Sequence, residues 1–191
     1  ECVLRPELCM AHEGKARDME YAERSCLSEQ VVYLSVTSGL KVGVTRGSQV
    51  PTRWIDQGAT KAIELSRTPN RYTAGLVEVA LKAHMKDKTY WRAMLKNETS
   101  FAGDLLEEKN RATKLLSPEL GAFRSESDQI TEIQYPVLRY PEKVASLNFD
   151  KESVVNGVLA GIKGQYLIFD NNRVINIRKF GGYLVKMSSC E

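Results

Sequence analysis

The sequence predicts an α+β protein: a strand-strand-helix-strand-helix core, preceded by a cysteine-rich N-terminal arm and followed by a small antiparallel β domain. Three observations carry this. Two β-branched runs, VVYLSV (31–36) and LKVGVT (40–45), flank Thr37, Ser38 and Gly39, as in a hairpin with a glycine-containing turn. Leu76, Val77, Ala80 and Leu81 recur at helical spacing in AGLVEVALKAHMK. Beyond residue 130 the texture changes to short, β-rich runs separated by proline, glycine and asparagine.

In chain order, residues 1–30 are polar, with few apolar residues beyond Val3, Leu4, Leu8 and Leu27, so they cannot form a core alone. The hairpin follows. Pro51 is placed to start a short helix over TRWIDQ that Gly58 ends. AIELSR (62–67) alternates apolar and polar residues and reads as a third strand. After the amphipathic helix, whose apolar side carries His84 as an expected core histidine, a more charged helix is expected over 98–116. Phe101, Leu105, Leu106, Ala112, Leu115 and Leu116 lie on one side of it, and Ser117-Pro118 stops it. Residues 119–130 read as a polar linker. Strands are then expected in EIQYPVLRYP, VVNGVLAGI, QYLIFD, VINIRKF and GYLVKM, with a turn at Asn171-Asn172, building a small barrel or sandwich. The expected organisation is 1–30 arm, 31–97 core, 98–130 helix and linker, and 131–191 β domain.

With 191 residues, 42% hydrophobic and 27% charged, the composition is that of a globular protein able to bury one good core or two small ones, since domains of roughly 100 to 150 residues are commonest, and one compact core plus an appendage is expected. No stretch approaches the roughly 18 apolar residues of a membrane span. No secretory pattern opens the chain, so a cytoplasmic location with no membrane partner is expected. The chain starts at Glu1 and not at methionine, which points to a processed chain or a piece of a longer one. A net charge of +3 does not by itself announce nucleic-acid binding.

Three of the four cysteines fall in the first 26 residues, and Cys190 stands apart. In a cytosolic chain such clustering favours metal over disulfide. Cys2, Cys9, His12 and Cys26 supply four ligands, the number that closes a tetrahedral structural zinc site. The Cys9-to-His12 spacing is a short chelating pair, whereas Cys2 to Cys9 is wider than usual. A polar segment of this kind gains folding free energy from a metal. The alternative is a set of free thiols on a flexible arm.

Tyr33 on the first strand, Lys41-Val42-Gly43 on the second, Arg53 on the first helix and Glu78 on the next resemble the motif of the GIY-YIG nuclease superfamily. The likeness spans about residues 31–85. It implies a GIY-YIG-like core and a metal-dependent endonuclease site. In that site Glu78 would ligate Mg²⁺ or Mn²⁺, Arg53 would grip the phosphate, Tyr33 would bond the nucleophile or a phosphoryl oxygen, and Lys41 would donate electrostatically. Lys41 stands where the motif has its second tyrosine, the residue given the general-base role. A lysine is protonated near neutral pH and donates more naturally than it accepts, although some branches of the superfamily carry it. PTRWIDQGAT, GLVEVALK, WRAML, GIKGQYLIF and INIRKFGGY are also similar to an uncharacterised bacterial domain-of-unknown-function family. That likeness covers nearly the whole chain and implies a further cysteine near position 16, where this chain has Ala16.

Lys41, Arg46, Arg53, Lys61, Arg67 and Arg71 are close enough in sequence to form an electrostatic footprint for DNA or RNA, or equally a solvated face beside Asp56 and Glu64. Tyr33 also reads as a core aromatic, and Glu78 as an i,i+4 partner of Lys82. In the C-terminal piece Tyr166, Phe169, Arg173, Arg178, Lys179, Phe180 and Tyr183 suit base stacking, but core packing is the favoured reading because Ile168, Ile175 and Ile177 also need burial. The functional expectation is therefore a nucleic-acid-binding protein with a phosphodiester-cleaving site. The alternatives are a catalytically inactive, zinc-stabilised nucleic-acid-binding or scaffold module, and a protein-binding adaptor.

Overall fold

A computed structural model describes residues 2–85 and 89–188. Lys86, at the end of the expected amphipathic helix, and Cys190 lie outside them. The protein is α+β, with two small, mostly antiparallel sheets and several helices, and it divides into two units, Glu1–Gln134 and Tyr135–Glu191. The segments 1–30, 31–97 and 98–130 thus fall together in the first unit. Among the described residues no helix is long and apolar enough to cross a membrane.

In the first unit, helix α1 (Met19–Ser25) precedes strands β1 (Gln30–Val36) and β2 (Leu40–Arg46), which pair antiparallel with Tyr33 opposite Gly43. Helix α2 (Thr52–Asp56) is shorter than the two turns expected. Strand β3 (Lys61–Thr68) pairs with the other side of β1, leaving β2 as an edge. Helix α3 (Arg71–Lys82) begins three residues before the expected stretch that opens at Ala74, because Asn70 caps it, its side-chain oxygen accepting from Thr73 N and Oγ1. It ends short of His84, which is exposed in the following turn and is not the expected core histidine.

Strand β1 is buried along its whole length because both sides of the sheet are covered. Val32, Leu34 and Val36 join Ile63 and Leu65 in a core closed by Ala74, Val77 and Leu81 of α3. Val31 and Tyr33 join a second cluster with Trp54, Ala59 and Ala62. Each fully buried valine or leucine contributes about 1.5–3 kcal/mol, so this double covering is what fixes the register of β1.

Two short helices, α4 (Trp91–Leu95) and α5 (Leu105–Lys114), follow. The helix expected from residue 98 starts later: Asp104 accepts from Leu106 N and Glu107 N, and this cap sets the start that apolar spacing alone had placed too early. Residues 119–130 are no free linker. After α6 (Pro118–Gly121), Phe123 O accepts from Arg67 N and Leu65 O from Ser125 N, tying the segment along β3. The fully buried Lys109 ammonium donates to Ser125 O, Ser127 O and Asp128 at 2.7–2.8 Å, which anchors that segment to α5. Strand β4 (Thr131–Glu132) then pairs with β3, completing the order β2-β1-β3-β4. The run EIQYPVLRYP thus contributes the tip of the first sheet and, through Val137, a single antiparallel bridge to Gly161, with Leu138 N donating to Ala160 O and Ile162 N to Pro136 O.

The second unit holds β5 (Ala145–Ser146), β6 (Leu159–Lys163), β7 (Tyr166–Phe169) and β8 (Arg173–Asn176) in the order β5-β8-β7-β6. This is one open sheet and not a barrel, and β5 runs parallel to β8. Gly164 and Asn172 take left-handed conformations at the two turns, the second within the expected Asn171-Asn172 pair. Phe180 and Phe169 pack with Leu147, Phe149 and Ile175, so they are core aromatics as favoured. Residues 182–187 form no strand, and Leu184 and Met187 are exposed.

Replacing Lys109 with methionine removes the buried donor to Ser125 O, Ser127 O and Asp128, of which Ser125 O and Asp128 keep a contact with Arg124. We expect a loss of about 3 kcal/mol in a urea unfolding curve. A loss within error of zero would show that residues 123–128 are held by other contacts.

Candidate functional site

A cleft of about 280 Å³ lies along the edge strand β2, and its lining comes from five places in the chain. Tyr33 comes from β1, and Lys41, Val42, Gly43 and Val44 from β2. Arg53 and Gln57 come from α2 and its end, Arg71 and Glu78 from α3, and Val3, Leu4 and Pro6 from the N-terminal segment. The groups singled out as Tyr33, Lys41, Arg53 and Glu78 therefore share one cavity.

The floor is the Tyr33 phenol. It is fully buried, with the Trp54 ring 5.9 Å away, and it packs over the bare backbone of Gly43. A Cβ on Gly43 would stand 2.7 Å from the phenolic oxygen, so the glycine is needed for the space it leaves. Burial pushes the phenol up to about 12, against the nearby Arg53 and Gln57, which favour its anion. Neither reaches hydrogen-bonding geometry, and among the described residues the phenolic oxygen has no partner. The Gln57 side-chain oxygen is also buried without one. Two buried polar atoms without a partner among the described residues thus belong to side chains that line one cleft, where a polar ligand could satisfy both.

The walls are mostly cationic. Lys41 is buried on β2 and donates to Thr89 Oγ1 at 3.3 Å. Arg71 spans two roles: its guanidinium lines the cleft while donating to Cys2 O at 3.0 Å and Val3 O at 2.8 Å. Among the described residues Glu78 is the one carboxylate in the lining, largely buried, with the Lys82 ammonium 3.3 Å away. That arrangement suits a bound anion.

The other basic candidates lie elsewhere. Arg67 makes a bidentate pair with Glu64 and bonds Glu29, which holds its guanidinium above its ordinary range. Arg46 donates to Ser25 Oγ, and Lys61 pairs with Glu132 at 2.9 Å. None of the three lines the cleft. Gln57 and the N-terminal wall carried no sequence signal: Gln57 stands outside the motif, and Val3 and Leu4 read as stray apolar residues.

Beside the cleft, Cys2, Cys9 and Cys26 gather with Met19, Ala22, Leu27 and Tyr72. Burial, then a hydrogen bond with Cys9, raises the Cys26 thiol to about 11. His12 stacks on Tyr72 with ring centroids 4.1 Å apart. Among the described residues no three histidine, cysteine or acidic side chains stand in metal-ligating geometry.

The fold and cleft define an α+β protein with a cationic pocket at a sheet edge. The family described as "Protein of unknown function (DUF2797)" matches residues 1–185, so the chain belongs to that family. No curated protein and no solved structure matches the chain.

An acid whose pKa rises on folding is held protonated by the fold. The Tyr33 contribution is therefore complete below pH 10 and disappears as pH climbs from 10 toward 12. Across that window Tyr33→Phe should lose less stability than the parent, by about 2–3 kcal/mol in parallel denaturant titrations. Identical losses would place the phenol in contact with solvent.

Proposed function

We propose that the protein binds the phosphodiester backbone of DNA or RNA in this cleft and, with a divalent cation at Glu78, cleaves it through a GIY-YIG-like site. The observation that carries the reading is that Tyr33, Lys41, Arg53 and Glu78, from four separate elements, line one cavity with two unsatisfied polar atoms at its floor. The antiparallel order β2-β1-β3, with Tyr33 and Gly43 paired across it, supports the likeness.

In this reading Arg53 forks onto the non-bridging oxygens, Arg71 and Lys41 add positive charge to the walls, and the neutral phenol of Tyr33 donates a hydrogen bond to a phosphoryl oxygen. Glu78 suits Mg²⁺ or Mn²⁺, which often takes one or two carboxylates and completes its shell with water and phosphate. Such an ion would polarise the phosphoryl group and lower the pKa of a bound water. The reading places the protein in the cytoplasm with its nucleic acid.

A second reading is a catalytically inactive binding module, and the state of the floor favours it. The phenol is held neutral to about pH 12 and Lys41 replaces the motif's tyrosine, so near neutral pH Glu78 is the group in the cleft suited to accept a proton. In either case Cys2, Cys9 and Cys26, with His12 turned from the Tyr72 face, are the set that would hold a structural zinc.

Cleavage of labelled DNA and RNA with Mg²⁺ or Mn²⁺ should fall by about 10²-fold in Glu78→Ala while binding persists. Binding without turnover in the parent selects the inactive module. Arg53→Ala should flatten the slope of log affinity against log salt by about 1. An affinity indifferent to salt would overturn both readings.

For the thiol cluster, elemental analysis should find zinc bound to the purified chain, lost in Cys9→Ser together with a lower Tm. A zinc-free chain that melts as Cys9→Ser does would leave these cysteines as packing groups.

A further inference from the structure

We infer that the cleft admits a flexible single strand, or the end of a strand, and turns away a continuous duplex. This rests on the nucleic-acid reading above and adds the class of substrate. The N-terminal segment decides it, because Val3, Leu4 and Pro6 form one wall of the cavity.

That wall is held firmly. Its backbone lies directly on α3 at Gly75, where a Cβ would come within 2.2 Å of Glu7 N and 2.5 Å of the Pro6 carbonyl carbon. No side chain fits between the two. Arg71 clamps the same segment from the cleft side through the carbonyls of Cys2 and Val3.

The groups that need a ligand line the same cavity as that wall. The Tyr33 phenol is fully buried and unpartnered among the described residues, so a phosphoryl oxygen must descend to the floor to accept from it. At about 280 Å³ the cavity sits near the lower end of ordinary ligand sites, which run from about 300 Å³. A double helix is a stiff rod on the scale of ~150 base pairs, and its backbone cannot bend sharply around a wall to reach such a floor. A single strand can, and its unstacked bases are then free to pack on apolar surface. Such surface is present on the wall itself: Val3 and Leu4 are 76% and 85% exposed. The bases of a duplex are already stacked and gain nothing there.

The test is fluorescence anisotropy on the full chain at fixed salt, with a short labelled oligonucleotide presented as single strand and as duplex, in DNA and in RNA. Single strands should bind about tenfold more tightly. The double variant Val3→Ser with Leu4→Ser should lower single-strand affinity and leave duplex affinity unchanged. Gly75→Leu, which forces the Pro6–Glu7 backbone off α3, should narrow the preference. If Gly75→Leu does not fold, the exposed pair carries the test. Equal or tighter duplex binding by the parent overturns the inference and leaves the nucleic-acid reading standing, whereas no binding to any of the four overturns that reading and the inference with it.

Discussion

The structure of the first unit turns on the packing of one phenol over one bare stretch of backbone. Tyr33 lies on the most buried strand and points toward the edge strand, where Gly43 leaves room for its oxygen. Because the position opposite has no side chain, a large polar-tipped residue occupies the sheet without a cavity and without a clash. Its hydroxyl ends where Arg53, Gln57 and Glu78 can influence it. Without that fit the edge of the sheet would be closed hydrocarbon, and the helices would have nothing to present their charges to.

The cleft is assembled from elements whose own stability is unrelated to it. Helix α3 is fixed by Ala74, Val77 and Leu81 against the sheet, and that packing sets where Arg71 and Glu78 stand. Trp54 fixes α2 in the second cluster and so sets Arg53. The charged groups are carried by scaffolding that hydrophobic burial has already fixed, so none of them has to organise its own surroundings.

How much could be read beforehand followed from how local the cause was. The hairpin, the third strand and the face of α3 are written in residues next to one another, as β-branched runs, alternation and a helical period. The start of α3 was visible in principle, since Asn70 stands where a cap belongs, but the apolar period begins later and drew the boundary inward. For α5 Phe101 matched the stripe and concealed the Asp104 cap. The segment 119–130 looked like a linker because its ties to β3 run through backbone groups and its anchor to α5 through Lys109, and only isolated residues such as Leu120 and Ile130 pack on the core. Strand β5 is two residues long and pairs in parallel with a strand far ahead in sequence, which no local pattern encodes. In the cleft, the four motif groups were legible from order and spacing. Gln57 and the N-terminal wall were not, because their placement depends on how distant pieces pack. Gly75, an apparent weakness inside a helix, turned out to be the seat of that wall.

The clamp between Arg71 and the carbonyls of Cys2 and Val3 gives one guanidinium two duties, holding the wall and facing the cavity. Substituting Arg71 therefore loosens the wall at the same time as it removes a positive charge, so a weakened variant there reports both effects together. Among the described residues Arg53 makes no such contact with the wall and is the cleaner probe of charge.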